Sequence, residues 1–318
     1  MDWIAMLNFQ QVVAALQQGV PGAPVQLERL ARSGDADALY MLGEFRLTGL
    51  HGPVDTKAAY RMIARAAKDG HIDARRTFAY LTAAGTGCAA DLEKARQLLQ
   101  SAARTDRFAE MQLQLDAVFA QEELGTEREV LRDDPLVYVV RNFLSPNQCK
   151  YVRMVAQPWL APAMIVHPIT GEGILDPIRR SETMNFGPVF EDLIIQRINR
   201  RIAEATDTPL VNGEPLSVLH YNPGQEYRAH LDAFDQADPG KQRAVTALIW
   251  LNDGFEGGAT RFPELELDFV GNTGDLFVFR NVDADGKCDR RTMHSGMPVT
   301  GGEKWLASRW IRDGAYFG

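Results

Sequence analysis

The stretch Ser217-Val218-Leu219-His220-Tyr221-Asn222-Pro223-Gly224-Gln225-Glu226-Tyr227-Arg228-Ala229-His230-Leu231-Asp232-Ala233 reads as two short strands joined by a turn. Asn222-Pro223-Gly224 punctuates the two runs and stops any helix from passing through. Runs of the same kind follow at Ala244 to Leu251, Leu265 to Val270, Asp275 to Arg280, Gly296 to Val299 and Trp305 to Arg312. Many short strands with Gly and Pro between them predict an antiparallel sandwich or barrel, with the jelly roll as first candidate. Upstream, Leu136 to Val140 reads as a strand, and Ser145-Pro146 supplies the N-cap and first-turn proline of a helix to about Ala156. Phe190, Leu193, Ile194, Ile198 and Ile202 recur at helical spacing, which predicts a second helix from about Pro188 to Ala205. Helices followed by strands make residues from about 130 to 318 an α+β domain.

The first third of the chain repeats itself. Ala31, Ala67 and Ala103 are spaced by 36 residues, and the same step links Gly34 to Gly70, Asp37-Ala38 to Asp73-Ala74, Gly49 to Gly85, Asp55 to Asp91 and Ala59 to Ala95. A period in the thirties with Ala at packing positions and Gly at turns predicts stacked helix pairs. The run Ala36-Asp37-Ala38-Leu39-Tyr40-Met41-Leu42-Gly43, followed by Gly49, Asp55 and Lys57-Ala58, resembles Sel1-like repeats of the tetratricopeptide superfamily. That resemblance implies an N-terminal helical repeat domain over about 1 to 125. It offers two roles, a docking surface for a protein partner or a helical buttress. Gln121 to Pro135 is charged and loses the register, which suits a linker or a helix end.

The chain has 318 residues, with 34 Lys and Arg against 42 Asp and Glu, a net charge of −8 and 45% hydrophobic residues. This is globular composition, and the negative balance argues against nucleic acid as a partner, since phosphate binding draws on clustered Lys and Arg. The first 28 residues hold no Lys or Arg, and no apolar run reaches membrane-spanning length, so a soluble, cytoplasmic protein without a membrane partner is expected. Cys88, Cys149 and Cys288 lie far apart without a C-x-x-C pair, which gives no disulfide framework or structural zinc site and fits the same compartment.

Of the six histidines only His230 opens a His-x-Asp triplet, His230-Leu231-Asp232. On a strand these two side chains project to one side and can share a metal ion. His294, in Met293-His294-Ser295-Gly296-Met297-Pro298, is the candidate third ligand. Two His and one carboxylate on one face of an octahedron leave positions open, the arrangement of non-haem ferrous oxygenases. Lys304 sits ten residues further on in the strand Glu303 to Trp310, where a buried cation is expensive unless an anionic cosubstrate supplies its partner.

From about residue 135 onward the chain resembles the prolyl-4-hydroxylase-like branch of the iron(II)- and 2-oxoglutarate-dependent dioxygenases. The resemblance rests on Tyr221 to Asp232, Gly257-Gly258-Ala259-Thr260-Arg261-Phe262-Pro263, Gly274 to Phe279, and His294-Ser295-Gly296 through Gly302-Glu303-Lys304-Trp305 to Trp310, in that order. It implies a double-stranded β-helix (jelly-roll) domain with flanking helices. It also implies His230, Asp232 and His294 as iron ligands and catalytic residues, and Lys304 and Tyr221 as partners of the distal carboxylate of 2-oxoglutarate. Tyr227 and Trp310 match substrate-pocket positions, Arg243 matches an arginine that holds substrate, and Arg180-Ser181-Glu182-Thr183 is similar, with two departures, to an early family segment. The activity implied is hydroxylation of an aliphatic C–H bond with O2, 2-oxoglutarate being converted to succinate and CO2 and ascorbate serving as reductant. The carboxylate at Asp232 favours hydroxylation over halogenation, since halogenating relatives carry a small residue there. The substrate implied is proline-like, either a prolyl residue of a protein or a free amino or imino acid, whose carboxylate Arg243 or Arg180 could hold.

Other readings stand beside these. Tyr227 and Trp310 also fit a barrel core, and Arg243 a solvated strand edge. His220 is expected on the opposite face of its strand, and His51, His71 and His167 carry no motif. Gly257-Gly258 reads as a turn and Cys149 as helix packing. A rival of another class is a binding protein that keeps the metal site as a relic while the repeats grip a partner.

Overall fold

A computed structural model describes residues 7–166 and 173–316. Its contacts divide the chain into two units, Met1–Ala120 with Gly187–Gln196, and Gln121–Phe186 with Arg197–Gly318.

The first unit holds helices α1 (Phe9–Gln17), α2 (Ala23–Ser33), α3 (Ala36–Thr48), α4 (Thr56–Lys68), α5 (Ile72–Ala84), α6 (Leu92–Ala103) and α7 (Arg107–Phe119). The sequence period reappears in the helix boundaries: α3 and α5 start 36 residues apart, as do α4 and α6. Asp35 and His71 cap α3 and α5 by accepting from Ala38 N and Ala74 N, and Asp55 and Asp91 do the same for α4 and α6. Gly49 and Gly85 close α3 and α5 at φ 78° and 75°, a left-handed conformation that glycine adopts without a Cβ clash. Ala59, Ala95, Ile63 and Leu99, pairwise equivalent in the two repeats, are fully buried. A Cβ on Gly43 would lie 2.7 Å from Ile63 Cγ1, so the small residue is what lets α3 and α4 close up. Gly187–Gln196 joins this unit through side chains: Gln112 Nε2 donates to Asp192 Oδ2 at 3.0 Å, and Gln196 Nε2 donates to Tyr80 O at 3.0 Å.

The second unit is built on strands β1 (Arg128–Arg132), β2 (Val137–Val140), β3 (Ala161–Pro162), β4 (Met164–Val166), β5 (Gly173–Leu175), β6 (Glu182–Asn185), β7 (Ser217–Tyr221), β8 (Tyr227–His230), β9 (Arg243–Trp250), β10 (Glu256–Gly257), β11 (Thr260–Phe262), β12 (Leu267–Phe269), β13 (Leu276–Arg280), β14 (His294–Gly296), β15 (Val299–Gly301) and β16 (Lys304–Arg312). They form an eight-stranded sheet in the order β1-β2-β13-β9-β16-β7-β6-β3 and a four-stranded sheet β12-β11-β14-β8, with two small pairs beside them. Phe262 and Phe269 of the smaller sheet pack on Trp250, Phe277 and Phe279 of the larger one. This is the double-stranded β-helix, and with the helical repeats it makes the chain α+β. Helix α8 (Pro146–Ala156) has the expected Ser145 cap. Helix α9 (Leu193–Ala205) offers Asn199 O to Arg309 Nη1 and Ala205 O to Tyr138 Oη.

Several boundaries differ from the sequence reading. The predicted linker contains β1, a strand whose five residues are all exposed, so it carries no apolar alternation to betray it. The helix expected from Pro188 starts at Leu193, because Asp192 Oδ1 accepts from Ile194 N and Ile195 N and fixes the cap there. The strand expected from Leu265 begins at Leu267, after a 3-10 turn over Pro263–Leu265. No helix among the described residues is long and apolar enough to cross a membrane.

Candidate active site

Strands β8 and β14 are antiparallel neighbours with His294 opposite His230, so two imidazoles far apart in sequence enter the barrel side by side, ring centroids 4.3 Å apart. The Asp232 carboxylate joins them from just beyond β8, with Oδ1 3.6 Å from His230 Nε2 and Oδ2 3.7 Å from His294 Nε2. One ligand atom from each residue lies within 4.8 Å of the others, and among the described residues this is the single group of three or more metal-ligating types that does so. The tautomers follow from their partners. His230 Nδ1 meets Arg228 O at 2.8 Å and His294 Nδ1 meets Thr292 O at 3.0 Å. A carbonyl only accepts, so both Nδ1 atoms carry a proton there, and both Nε2 atoms face the carboxylate.

The electrostatics favour a cation at this point. Burial, reinforced by neighbouring His294, pulls the His230 imidazole down to about 4, which keeps it neutral and able to ligate. Burial alone would raise the Asp232 carboxyl. The imidazoles of His294 and His230 and a hydrogen bond from Thr246 outweigh it and hold the carboxyl below its ordinary range. Two imidazoles and a carboxylate form the facial set that suits ferrous iron with positions left open.

The next side chains along the cavity are set by strand pairing. Lys304 at the start of β16 faces Tyr221 at the end of β7, and alternation sends Lys304, Leu306, Ser308 and Trp310 to the same side. Lys304 is 3% exposed, its Nζ donates to Gly258 O at 2.7 Å, and the rings of Tyr221, Trp250 and Phe255 surround it. Among the described residues no carboxylate pairs with it, and burial pulls its ammonium down to about 8. Gly258, at φ 64°, makes room: a Cβ there would sit 3.1 Å from Lys304 Cδ. The Tyr221 hydroxyl is pushed up by burial and stays a neutral donor. The triad and Lys304 line one cavity that opens to solvent, with Leu219, Leu248 and Leu306 on its walls. A buried cation without an anion, a short way from three converging metal donors, fits a cosubstrate with a carboxylate at its far end and oxygen donors at its near end. Iron(II) and 2-oxoglutarate are the cofactor and cosubstrate that this donor set accommodates.

The remaining predicted residues divide. Tyr227 stacks on His230 at 3.5 Å between centroids, and Trp310 lines the cavity. Arg243 lies over Trp310, 4.0 Å from its centroid, and its Nε and Nη2 grip Glu214 at 2.8 and 2.9 Å. Arg180 is exposed and its backbone N–H donates to Glu226 O, while its neighbour Arg179 pairs in register with Tyr227 and lays its guanidinium over that ring at 5.4 Å. Sequence reasoning named Arg180 and passed over Arg179, one residue away. Along an extended segment such a step exchanges faces. It also missed Glu214, Thr246 and Asn281, although Thr246 shares the inward parity of Leu248 and Trp250. His220 faces away from the cavity, as expected, between Glu182 and Glu303 and against Trp305. His71 caps a helix, His51 packs by Phe45, and His167 lies outside the described residues. Gly257 and Gly258 both adopt positive φ in their turn, and buried Cys149 has its thiol pushed up to about 12 by burial.

Residues 216–312 match the family described as the 2OG-Fe(II) oxygenase superfamily. Prolyl 4-hydroxylase 1 of Arabidopsis thaliana is 35% identical over 204 residues, covering 59% of this chain and 72% of the relative. The crystal structure of the viral collagen prolyl hydroxylase of Paramecium Bursaria Chlorella virus-1 with 2-oxoglutarate aligns at TM-score 0.45 and 29% identity, over 55% of this chain and 95% of its own. A Sel1 repeat protein from Oxalobacter formigenes aligns at TM-score 0.32 and 24% identity, over 33% of this chain and 84% of its own.

Proposed function

Because this chain belongs to the prolyl 4-hydroxylase family of iron(II)- and 2-oxoglutarate-dependent oxygenases, we propose that it hydroxylates a prolyl residue within a peptide or protein. The observation that carries the choice of a peptide over a free amino or imino acid is the pairing of Arg243. A free amino acid needs a cation to hold its carboxylate. Arg243 turns its Nε–Nη2 edge to Glu214, Arg179 pairs with Asp176, Arg180 is exposed, and Lys304 is taken by the cosubstrate in this reading. What Tyr227 and Trp310 offer instead is aromatic surface, which suits a pyrrolidine ring flanked by peptide groups.

The residues then take complementary roles. His230 Nε2, His294 Nε2 and the Asp232 carboxylate bind the metal from one side. Lys304 and the Tyr221 hydroxyl hold the distal carboxylate of 2-oxoglutarate and fix its orientation. Leu219, Leu248 and Leu306 keep water from the space between. Bound at the triad, iron with 2-oxoglutarate and O2 supplies the oxidant that converts C–H to C–OH, with succinate and CO2 as coproducts. The helical repeats are proposed to act as a docking surface for the protein that carries the prolyl residue.

Mass spectrometry of a proline-containing peptide, incubated with the protein, ferrous iron, 2-oxoglutarate and ascorbate, tests the reading. A gain of one oxygen atom on a prolyl residue, with succinate formed in equal amount, is the expected result. Turnover of free proline with no peptide modified would overturn the choice of peptide.

A further inference from the structure

Behind the metal-facing carboxylate lies a hydrogen-bond chain closed off from solvent. Thr246 Oγ1 donates to Asp232 Oδ2 at 2.7 Å, and Asn281 Nδ2 donates to Thr246 Oγ1 at 2.8 Å. Thr246 and Asn281 are both fully buried, and Asp232 is 5% exposed. The direction of the chain is forced. An ionised carboxylate only accepts, so the single hydroxyl proton of Thr246 goes to Asp232, and Thr246 can meet Asn281 only as an acceptor. The amide of Asn281 must therefore present its nitrogen, and its Oδ1 is left without a hydrogen-bond partner. An orphaned buried acceptor is costly, so the arrangement is held by something the rest of the chain gains from it.

Asn281 is itself anchored at the end of β13. Its N–H donates to Ala244 O and its carbonyl accepts from Asp289 N, so the chain of bonds runs from fixed backbone to the carboxylate without a mobile link. Asp232, by contrast, lies beyond the end of β8, where ladder hydrogen bonds no longer fix the backbone. We propose that Thr246 and Asn281 are positioning residues for the metal site: Oδ1 lies 3.6 Å from His230 Nε2 and Oδ2 3.7 Å from His294 Nε2, and the hydroxyl, by donating to Oδ2, sets the rotamer of Asp232 and leaves Oδ1 as the oxygen that Thr246 does not occupy. A carboxylate ligating through one oxygen takes one coordination position, which preserves the open positions that the cosubstrate and O2 require. This rests on the triad as the metal site.

The test is metal binding by the full-length protein without 2-oxoglutarate or O2, with Mn(II) as the probe, followed by electron paramagnetic resonance and calorimetry. Thr246→Val keeps the shape and removes the hydroxyl, and Thr246→Ser keeps the hydroxyl. The expected result is an affinity about tenfold weaker for Thr246→Val, restoration to within about threefold by Thr246→Ser, and a smaller loss for Asn281→Ala. Melting of the metal-free variants shows that each is folded. A folded Thr246→Val that binds Mn(II) within twofold of wild type overturns the proposal, as does a Thr246→Ser as weak as Thr246→Val. His294→Ala separates the two layers: if it binds as tightly as wild type, the triad reading itself fails and the proposal falls with it.

Discussion

The helical unit and the cavity at the centre of the barrel unit bury polar groups on opposite terms. In the repeats each buried polar side chain meets a partner from the same unit: Thr77 pairs with Tyr40, Thr82 with Tyr60, Asp106 with Arg76, and Gln112 with Tyr80. In the barrel, Lys304 is equally buried with no carboxylate partner among the described residues, and the two Nε2 atoms of His230 and His294 point at a shared carboxylate. A group satisfied within the chain stabilises the fold, whereas a group whose complement is missing is a binding feature. The contrast shows where stability resides and where chemistry resides.

Four substitutions or titrations can break that contrast. The largest effect is expected for Asp232→Ala, which removes one of three donors: succinate formation should fall about a thousandfold or more, roughly 4 kcal/mol of lost transition-state stabilisation. Next comes Lys304→Ala. It should raise the KM for 2-oxoglutarate about a hundredfold, as expected when a buried charge pair loses one partner, while Mn(II) affinity stays within about twofold. A comparable loss of metal binding would show that Lys304 supports the fold. In the helical unit, Ile63→Ala should cost about 2–5 kcal/mol in denaturant unfolding, because the fully buried side chain leaves a cavity against α3. The kcat of the molecules that remain folded should not change. A parallel fall in kcat would join the two regions that the contrast separates. The smallest effect is a pH dependence. Burial lowers Lys304 to about 8 in the free protein, so its cation is present below that pH and lost above it. The KM for 2-oxoglutarate should therefore be level below about pH 8 and rise above it by up to about tenfold per pH unit. A KM that rises on acidification through this range would contradict the assignment.

Much of this was legible in the sequence because the decisive signals are local. His230 and Asp232 are two residues apart, the 36-residue step survives in the helix boundaries, and the period of two along Lys304 to Trp310 sorts cavity from outer face. What escaped depends on pairing between distant segments. Thr246, on β9 of the large sheet, meets Asp232, just past β8 of the smaller one, across 14 residues, and Glu214 meets Arg243 across 29 residues. Arg179 and Arg180 are chemically identical, and only the bridge to Tyr227 sets which one lies over that ring. β1 stayed hidden because an exposed edge strand needs no apolar alternation.

The most direct measurement is anomalous diffraction at the iron edge from crystals of the full-length protein loaded with ferrous iron and 2-oxoglutarate under anaerobic conditions. One peak bonded by His230 Nε2, Asp232 and His294 Nε2, with the far carboxylate of the dicarboxylic acid against Lys304 Nζ, is the expected outcome. Iron bound elsewhere, or Lys304 left without the carboxylate while 2-oxoglutarate occupies the cavity, would contradict it.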